Sequence, residues 1–176
     1  SFPLSGPAGA PTTDYAQARI YADGFVTFPN AATGAISTPG ENHCLPWSLS
    51  GLQGVFGWWA DLNAGASGAE VSSFRPAADR FVIQYKNLAS VGVTPAYRVT
   101  FQIVLYQNGD VQFNYQQTPE QWSPTFNQLL PLATVGVQAR NGLYRNQVAC
   151  AAEGGTWLGT LPQAGQSLRI KSTEVY

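Results

Sequence analysis

The sequence has no methionine, one histidine (His43) and two cysteines, and only 11% of its 176 residues are charged. Each shortage excludes something. A hydrolytic triad needs a nucleophile, a base and an orienter that meet in space, and a single histidine in a loop beside a cysteine supplies little for one. Structural zinc uses paired short ligand spacings, and Cys44, Cys150 and His43 have none. Nine basic residues against ten acidic ones give a net charge of −1, which leaves no electrostatic footprint for nucleic acid or an anionic membrane. No apolar run approaches the roughly 18 residues needed to span a bilayer, so no membrane insertion is expected of this segment. Ser at the first position, in a chain without Met, fits a processed or excised segment.

What the chain has is apolar and turn-forming. Its residues are 44% hydrophobic and 12% aromatic, enough to bury one core, and a single core commonly serves roughly 100–200 residues. Eighteen Gly and twelve Pro, spread along the chain, favour many short elements joined by turns. Residues 1–17 are rich in Pro, Gly and Ala without a sustained period. They read as an extended arm or linker ahead of one domain, 18–176.

Alternation of period two then recurs. ARIYADGFVTF (18–28) reads as a hairpin, because Asp23-Gly24 favours the positive φ of a tight turn. GVFGWWADL (54–62) reads as a buried strand. RFVIQYK places Phe81, Ile83 and Tyr85 on one face, and YRVTFQIVLY does the same with Val99, Phe101, Ile103 and Leu105. Asn108-Gly109 turns the chain into VQFNY, the strongest hairpin signal present. After a Pro-rich and aromatic loop over 116–131, with a short helix around Phe126 to Leu130 as the alternative, ATVGVQAR and SLRIKS read as further strands. About 8–10 strands, each with one apolar face, predict an all-β antiparallel β-sandwich of two stacked sheets with long loops. The polar face carries Gln, Thr, Asn and Arg, which solvate a sheet without making it reactive.

Cys44 and Cys150 have two readings. In an exported chain they pair as a disulfide, and closing a loop of about 100 residues is worth up to ~4.7 kcal/mol in the chain-entropy model. The alternative is two buried, reduced thiols.

The order ARIYADGFVTF, GWWADLN, RFVIQYKNL, TFQIVLYQNGDVQFNY, ATVGVQARNG resembles a β-sandwich module of secreted bacterial proteins. It is similar also to the extracellular nidogen-type (NIDO) domain, in which an FWADVD-like stretch precedes a TFQVVL-like strand. The resemblance covers about residues 18–142. It implies a non-catalytic extracellular module and transfers no catalytic residue. Where that pattern often has a second acidic residue after the tryptophan, this chain has Ala60, Asp61 and Asn63.

Two ligand chemistries follow from the side chains. Asp61, Asn63 and Glu70, with carbonyls of the 62–68 turn, offer oxygen ligands to calcium, or else the turn satisfies its own N–H groups. Trp58 and Trp59 fall on opposite faces of a regular strand, so at most one points into the sandwich centre. The other joins Trp47, Trp122 or Trp157 as a platform for glycans, or lies under the 30–51 loop in a satellite core. The expectation is a secreted or cell-surface structural or adhesive module, partnered by neighbouring domains or by other subunits of a filament, pilus or fimbrium. The second reading is a carbohydrate-binding module. No enzymatic activity and no obligatory cofactor are expected.

Overall fold

The computed structural model describes residues 2–4, 13–28, 39–47, 53–94, 96–119, 122–123, 128–129, 132–139, 144–152 and 156–172. Among them the first strands are β1 (Phe2–Leu4), β2 (Thr13–Tyr15), β3 (Arg19–Tyr21), β4 (Phe25–Thr27), β5 (Gly54–Trp59), β6 (Leu62–Asn63), β7 (Glu70–Ala77) and β8 (Arg80–Ser90). They are followed by β9 (Arg98–Tyr106), β10 (Val111–Gln117), β11 (Trp122–Ser123), β12 (Gln128–Leu129), β13 (Thr134–Ala139), β14 (Tyr144–Ala152), β15 (Thr156–Gly159) and β16 (Ser167–Ile170). The count exceeds the expected one because several strands are only two or three residues long.

Two antiparallel six-stranded sheets form the sandwich. The first runs β15-β14-β13-β5-β4-β3 and the second β16-β10-β9-β8-β6, with β7 also on β8. β6 and β7 lie end to end along one side of β8, opposite Ser90 to Ala89 and Lys86 to Arg80 respectively. Within the arm β1 pairs with β2, Phe2 opposite Tyr15. Within the 116–131 segment, read as a loop with a short helix as the alternative, β12 pairs with β11; Phe126 itself is outside the described residues.

The alternating strands fold as their pattern dictates. Ile83, Tyr85, Val99, Phe101, Ile103, Val111, Phe113 and Tyr115 of the second sheet are buried with Val26, Val55, Trp58, Val135 and Val137 of the first. Two tyrosines tie the layers. The Tyr85 hydroxyl donates to the Phe25 carbonyl at 3.1 Å, and the Tyr115 hydroxyl donates to the Gly57 carbonyl at 2.8 Å. Burial pushes both phenols well above their ordinary pKa, so they remain donors at any physiological pH.

β5 was expected to run to Leu62, but it stops at Trp59 and the chain crosses to the second sheet at Ala60 and Asp61. Just before the crossing, Gly57 N–H and Trp58 N–H both donate to the Gly24 carbonyl, each at 3.1 Å. Against β13, Thr134 faces Trp59 but Gly136 faces Phe56. These are the marks of a β-bulge, one extra residue on β5. Gly57 is required there, because a Cβ would stand 2.6 Å from Phe101 and 2.8 Å from Ile103 across the layers. Gly24, at φ +83°, serves the tight turn opposite.

Candidate functional site

The bulge decides where the adjacent tryptophans go. Trp58 enters the central core and Trp59 the outer side of the first sheet, and both are 0% exposed. Trp59 packs with Phe25, Phe56 and Leu45, and Tyr21 and Trp47 close the cluster. Its indole N–H donates to the Pro39 carbonyl at 2.7 Å. Residues 39–47 therefore cover the outer face of the first sheet as a third layer, the satellite-core alternative. Trp58 and Trp59 do not form the exposed glycan platform, because the bulge and this cover bury both. Trp47 is half-buried, with its ring 4.7 Å from that of Trp59. The side chains of Trp122 and Trp157 lie outside the described residues.

The cover is fastened at several points. Cys44 and Cys150 form a disulfide with Cα atoms 5.4 Å apart, linking positions 106 residues apart in sequence. Trp47 N–H donates to Gln138 Oε1 at 2.8 Å, and Gln138 Nε2 donates back to the Trp47 carbonyl at 3.1 Å. Asn42 Nδ2 donates to the Ala151 carbonyl at 2.8 Å, and Thr134 Oγ1 donates to the His43 carbonyl at 2.8 Å. Leu45 N–H donates to Gln147 Oε1. The buried polar groups of β13 and β14 are thus matched by the backbone that covers them, as buried polar atoms require. The His43 ring stacks on Trp47, with centroids 5.0 Å apart.

The acidic loop has a local explanation. Asn63 Oδ1 accepts the Gly65 N–H at 2.8 Å, closing a side-chain turn. The Asp61 carbonyl accepts the Val91 N–H at 2.9 Å, and Glu70 stands opposite Lys86 on β7 and β8. Among the described residues no group of three or more His, Cys, Asp or Glu is arranged to hold a metal ion. Asp23 is the buried carboxylate nearby. Its Oδ1 accepts the Leu62 N–H at 3.2 Å. Burial raises its pKa, Asp61 adds to the rise, and the Leu62 N–H opposes it.

Residues 39–47 cover the centre of the first sheet but leave Leu158 of β15, opposite Cys150, 50% exposed; among the described residues the outer face of the second sheet is also open. A hydrogen-bonded amide row crosses it. Gln102 Nε2 donates to Gln84 Oε1 at 2.9 Å, and Asn114 Nδ2 donates to Gln102 Oε1 at 3.3 Å. Gln112 Nε2 donates to Asn114 Oδ1 at 2.7 Å, and Ser167 Oγ donates to the same oxygen at 2.9 Å. The Tyr106 hydroxyl donates to Gln112 Oε1 at 3.0 Å. β8, β9, β10 and β16 each contribute, because the register sets Gln84 opposite Gln102, Gln102 opposite Asn114 and Asn114 opposite Ser167. A trough of about 210 Å³ lies along the row, lined also by Thr100, Gln116 and Gln166.

Beyond Tyr106 the surface opens into a cleft of about 570 Å³ lined by Asp79, Arg80, Tyr106, Gln107, Asn108 and Arg169. Both guanidinium groups lie over the Tyr106 ring, Arg80 at 5.4 Å and Arg169 at 4.4 Å from its centroid. Each is also ion-paired, Arg80 with Asp79 and Arg169 with Asp110, both at 2.9 Å. Burial of Asp110 raises its pKa, but the Ser172 N–H, Arg169 and Asn108 outweigh that and hold it below the ordinary value. Sequence reasoning placed these polar residues on a solvated face but did not join them. The signal available was their shared parity on neighbouring strands.

No curated protein and no solved structure matches the chain. A family profile described as NIDO related matches residues 10–170. The match begins inside the arm and runs through the last strand, β16, so it takes in the crossing at Asp61 and the polar face together. The chain belongs to the NIDO-related family of extracellular modules.

Proposed function

We propose that this chain is a non-catalytic adhesive or structural module of a cell-surface protein. The observation that carries the reading is the Cys44–Cys150 disulfide fastening residues 39–47 over the first sheet. A cross-link of that kind persists in an oxidising compartment, and it is spent on holding a static layer closed. His43 supports the non-catalytic part. Its ring meets Trp47 and Trp59, where a general base would instead face a nucleophile and an orienting acid. The pairing of β1 with β2 favours a domain within a larger surface protein over a filament subunit that lends its arm as a donor strand. The exposed part of β7 favours it too, because Arg75, Pro76 and the register break between Phe74 and Ala77 blunt that sheet edge against strand addition.

The test is display of the oxidised chain on a heterologous cell surface, with adhesion to immobilised matrices compared against an empty anchor. Increased adhesion is expected, and correct display with no change contradicts the adhesive role. Sedimentation with and without residues 1–17 should give monomers in both cases, whereas filaments that require the arm would establish the pilus-like form. Hydrolase activity lost in a His43→Ala variant would overturn the non-enzymatic assignment.

A further inference from the structure

We infer that the amide row on the outer face of the second sheet is a binding site for a neutral polysaccharide. The inference rests on the reading of the chain as a non-catalytic module and names its ligand class.

Three observations carry it. The row is pre-organised: Gln84, Gln102, Gln112 and Asn114 are held by one another across three strands. Long amide side chains on an open sheet normally lose rotamer freedom when they bind, and that cost is already met here. Each primary amide carries two N–H donors and an oxygen with two lone pairs. Gln102 and Gln112 each donate one N–H within the network, and Gln84 enters it only as an acceptor. The remaining groups are the complement of a hydroxyl-rich chain, which also donates and accepts at each position.

The face is amphipathic in rows. The register places Phe74, Val82 and Val104 beside one another in the row next to Gln84 and Gln102. Rows two residues apart along the strands stand about 7 Å from each other. Val82 and Val104 are buried and Phe74 is 45% exposed, so the Phe74 ring is the apolar surface alongside the amide row at its β7 end; Tyr106, two rows farther along β9, reaches the network through Gln112. A sugar presents the same two characters, a C–H face and hydroxyl edges.

The charges select a neutral ligand over an acidic one. Arg80 and Arg169 are ion-paired with Asp79 and Asp110, Lys86 stands opposite Glu70, and among the described residues no charged side chain lines the trough.

The experiment is native affinity electrophoresis of the oxidised chain through gels containing β-1,3-glucan, β-1,4-glucan, xylan, mannan or starch, beside gels containing polygalacturonate. Retardation is expected in at least one neutral gel and not in polygalacturonate. A Gln102→Ala/Asn114→Ala variant should bind at least ten-fold more weakly, and Gln84→Ala several-fold more weakly. Near-UV circular dichroism of each variant checks folding, and the single variant decides if the double one does not fold. The inference is overturned by free migration in every neutral gel, by binding in polygalacturonate alone, or by retardation that the folded variants leave unchanged. It is also overturned if the wild-type chain dimerises and the same substitutions abolish that dimer, since the face would then be a protein interface. Release of reducing ends from a retained polysaccharide would instead sink the non-catalytic reading and leave the binding site standing.

Discussion

Trp58 and Trp59 are neighbours in sequence and occupy different cores: Trp58 packs edge-on to Tyr115 between the sheets, with ring centroids 6.2 Å apart, and Trp59 lies under residues 39–47 beside Trp47. Alternation alone would part them; the Gly57–Trp58 bulge, by turning Gly57 and Trp58 both inward, sends Trp58 and not Trp59 into the central core. The centre of the first sheet is covered on both sides, by the second sheet within and by residues 39–47 without.

Gly57→Ala tests the bulge. Its Cβ would fall within 3 Å of both Phe101 and Ile103, so the layers must part locally. Urea unfolding should show a loss of about 1–3 kcal/mol. A neutral effect would mean that the layers are not in contact at this point.

Removing the disulfide should be costly. A Cys44→Ser/Cys150→Ser variant should lose about 2–5 kcal/mol, and its tryptophan emission should shift to the red as the cover over Trp59 loosens. An unchanged midpoint and an unchanged spectrum would mean that the hydrogen bonds from Asn42, Thr134 and Gln138 hold the cover alone.

Tyr115→Phe deletes one tie between the layers without changing the packed ring. The Gly57 carbonyl then loses its phenol donor, and a loss of about 1–2 kcal/mol is expected in thermal or urea unfolding. Tyr85→Phe should behave alike at Phe25.

Two carboxylates give opposite pH dependences. The folded pKa of Asp23 is raised, chiefly by burial. The folded state therefore binds its proton more tightly, and stability falls as pH rises from the ordinary value of 3.8 through the raised one. Asp23→Asn, which keeps an oxygen for the Leu62 N–H, should gain stability relative to wild type above that window and show no gain below it. Asp110 is lowered despite its burial. Its contribution is present above its unfolded pKa and fades as pH falls through the folded value, so Asp110→Asn should lose stability at neutral pH and converge with wild type in acid. Urea midpoints measured from about pH 3 to 7 check both signs.

Legibility in the sequence followed the contrast between the two faces of each strand. β8, β9 and β10 have one dry face and one wet face, so Ile83, Phe101 and Phe113 alternate with Gln84, Gln102 and Gln112 and the strands read plainly. β7 did not read: it is an exposed edge with Pro76 and Arg75 on it and little apolar material to alternate. β14 did not read either, because its inward residues are the small Ala149 and Ala151 and its outward Cys150 and Gln147 are covered by residues 39–47. The end of β5 was misplaced, since a run apolar on both sides hides the residue at which the chain changes sheets. Which tryptophan enters the central core is set by the bulge, which no local pattern announces, and the burial of the other by residues 39–47. The candidate site was half legible. The polarity of Gln84, Gln102, Asn114 and Ser167 was visible, but positions up to 83 residues apart become one row only through strand register.

The most direct measurement is hydroxyl-radical footprinting read residue by residue in the oxidised and the reduced chain. The oxidised chain should be labelled at Phe74 and protected at Trp58 and Trp59, and reduction of Cys44–Cys150 should expose Trp59 while Trp58 stays protected. Labelling of Trp59 in the oxidised chain as strong as that of Phe74 would contradict the covered first sheet, and with it the assignment of the second sheet as the open face.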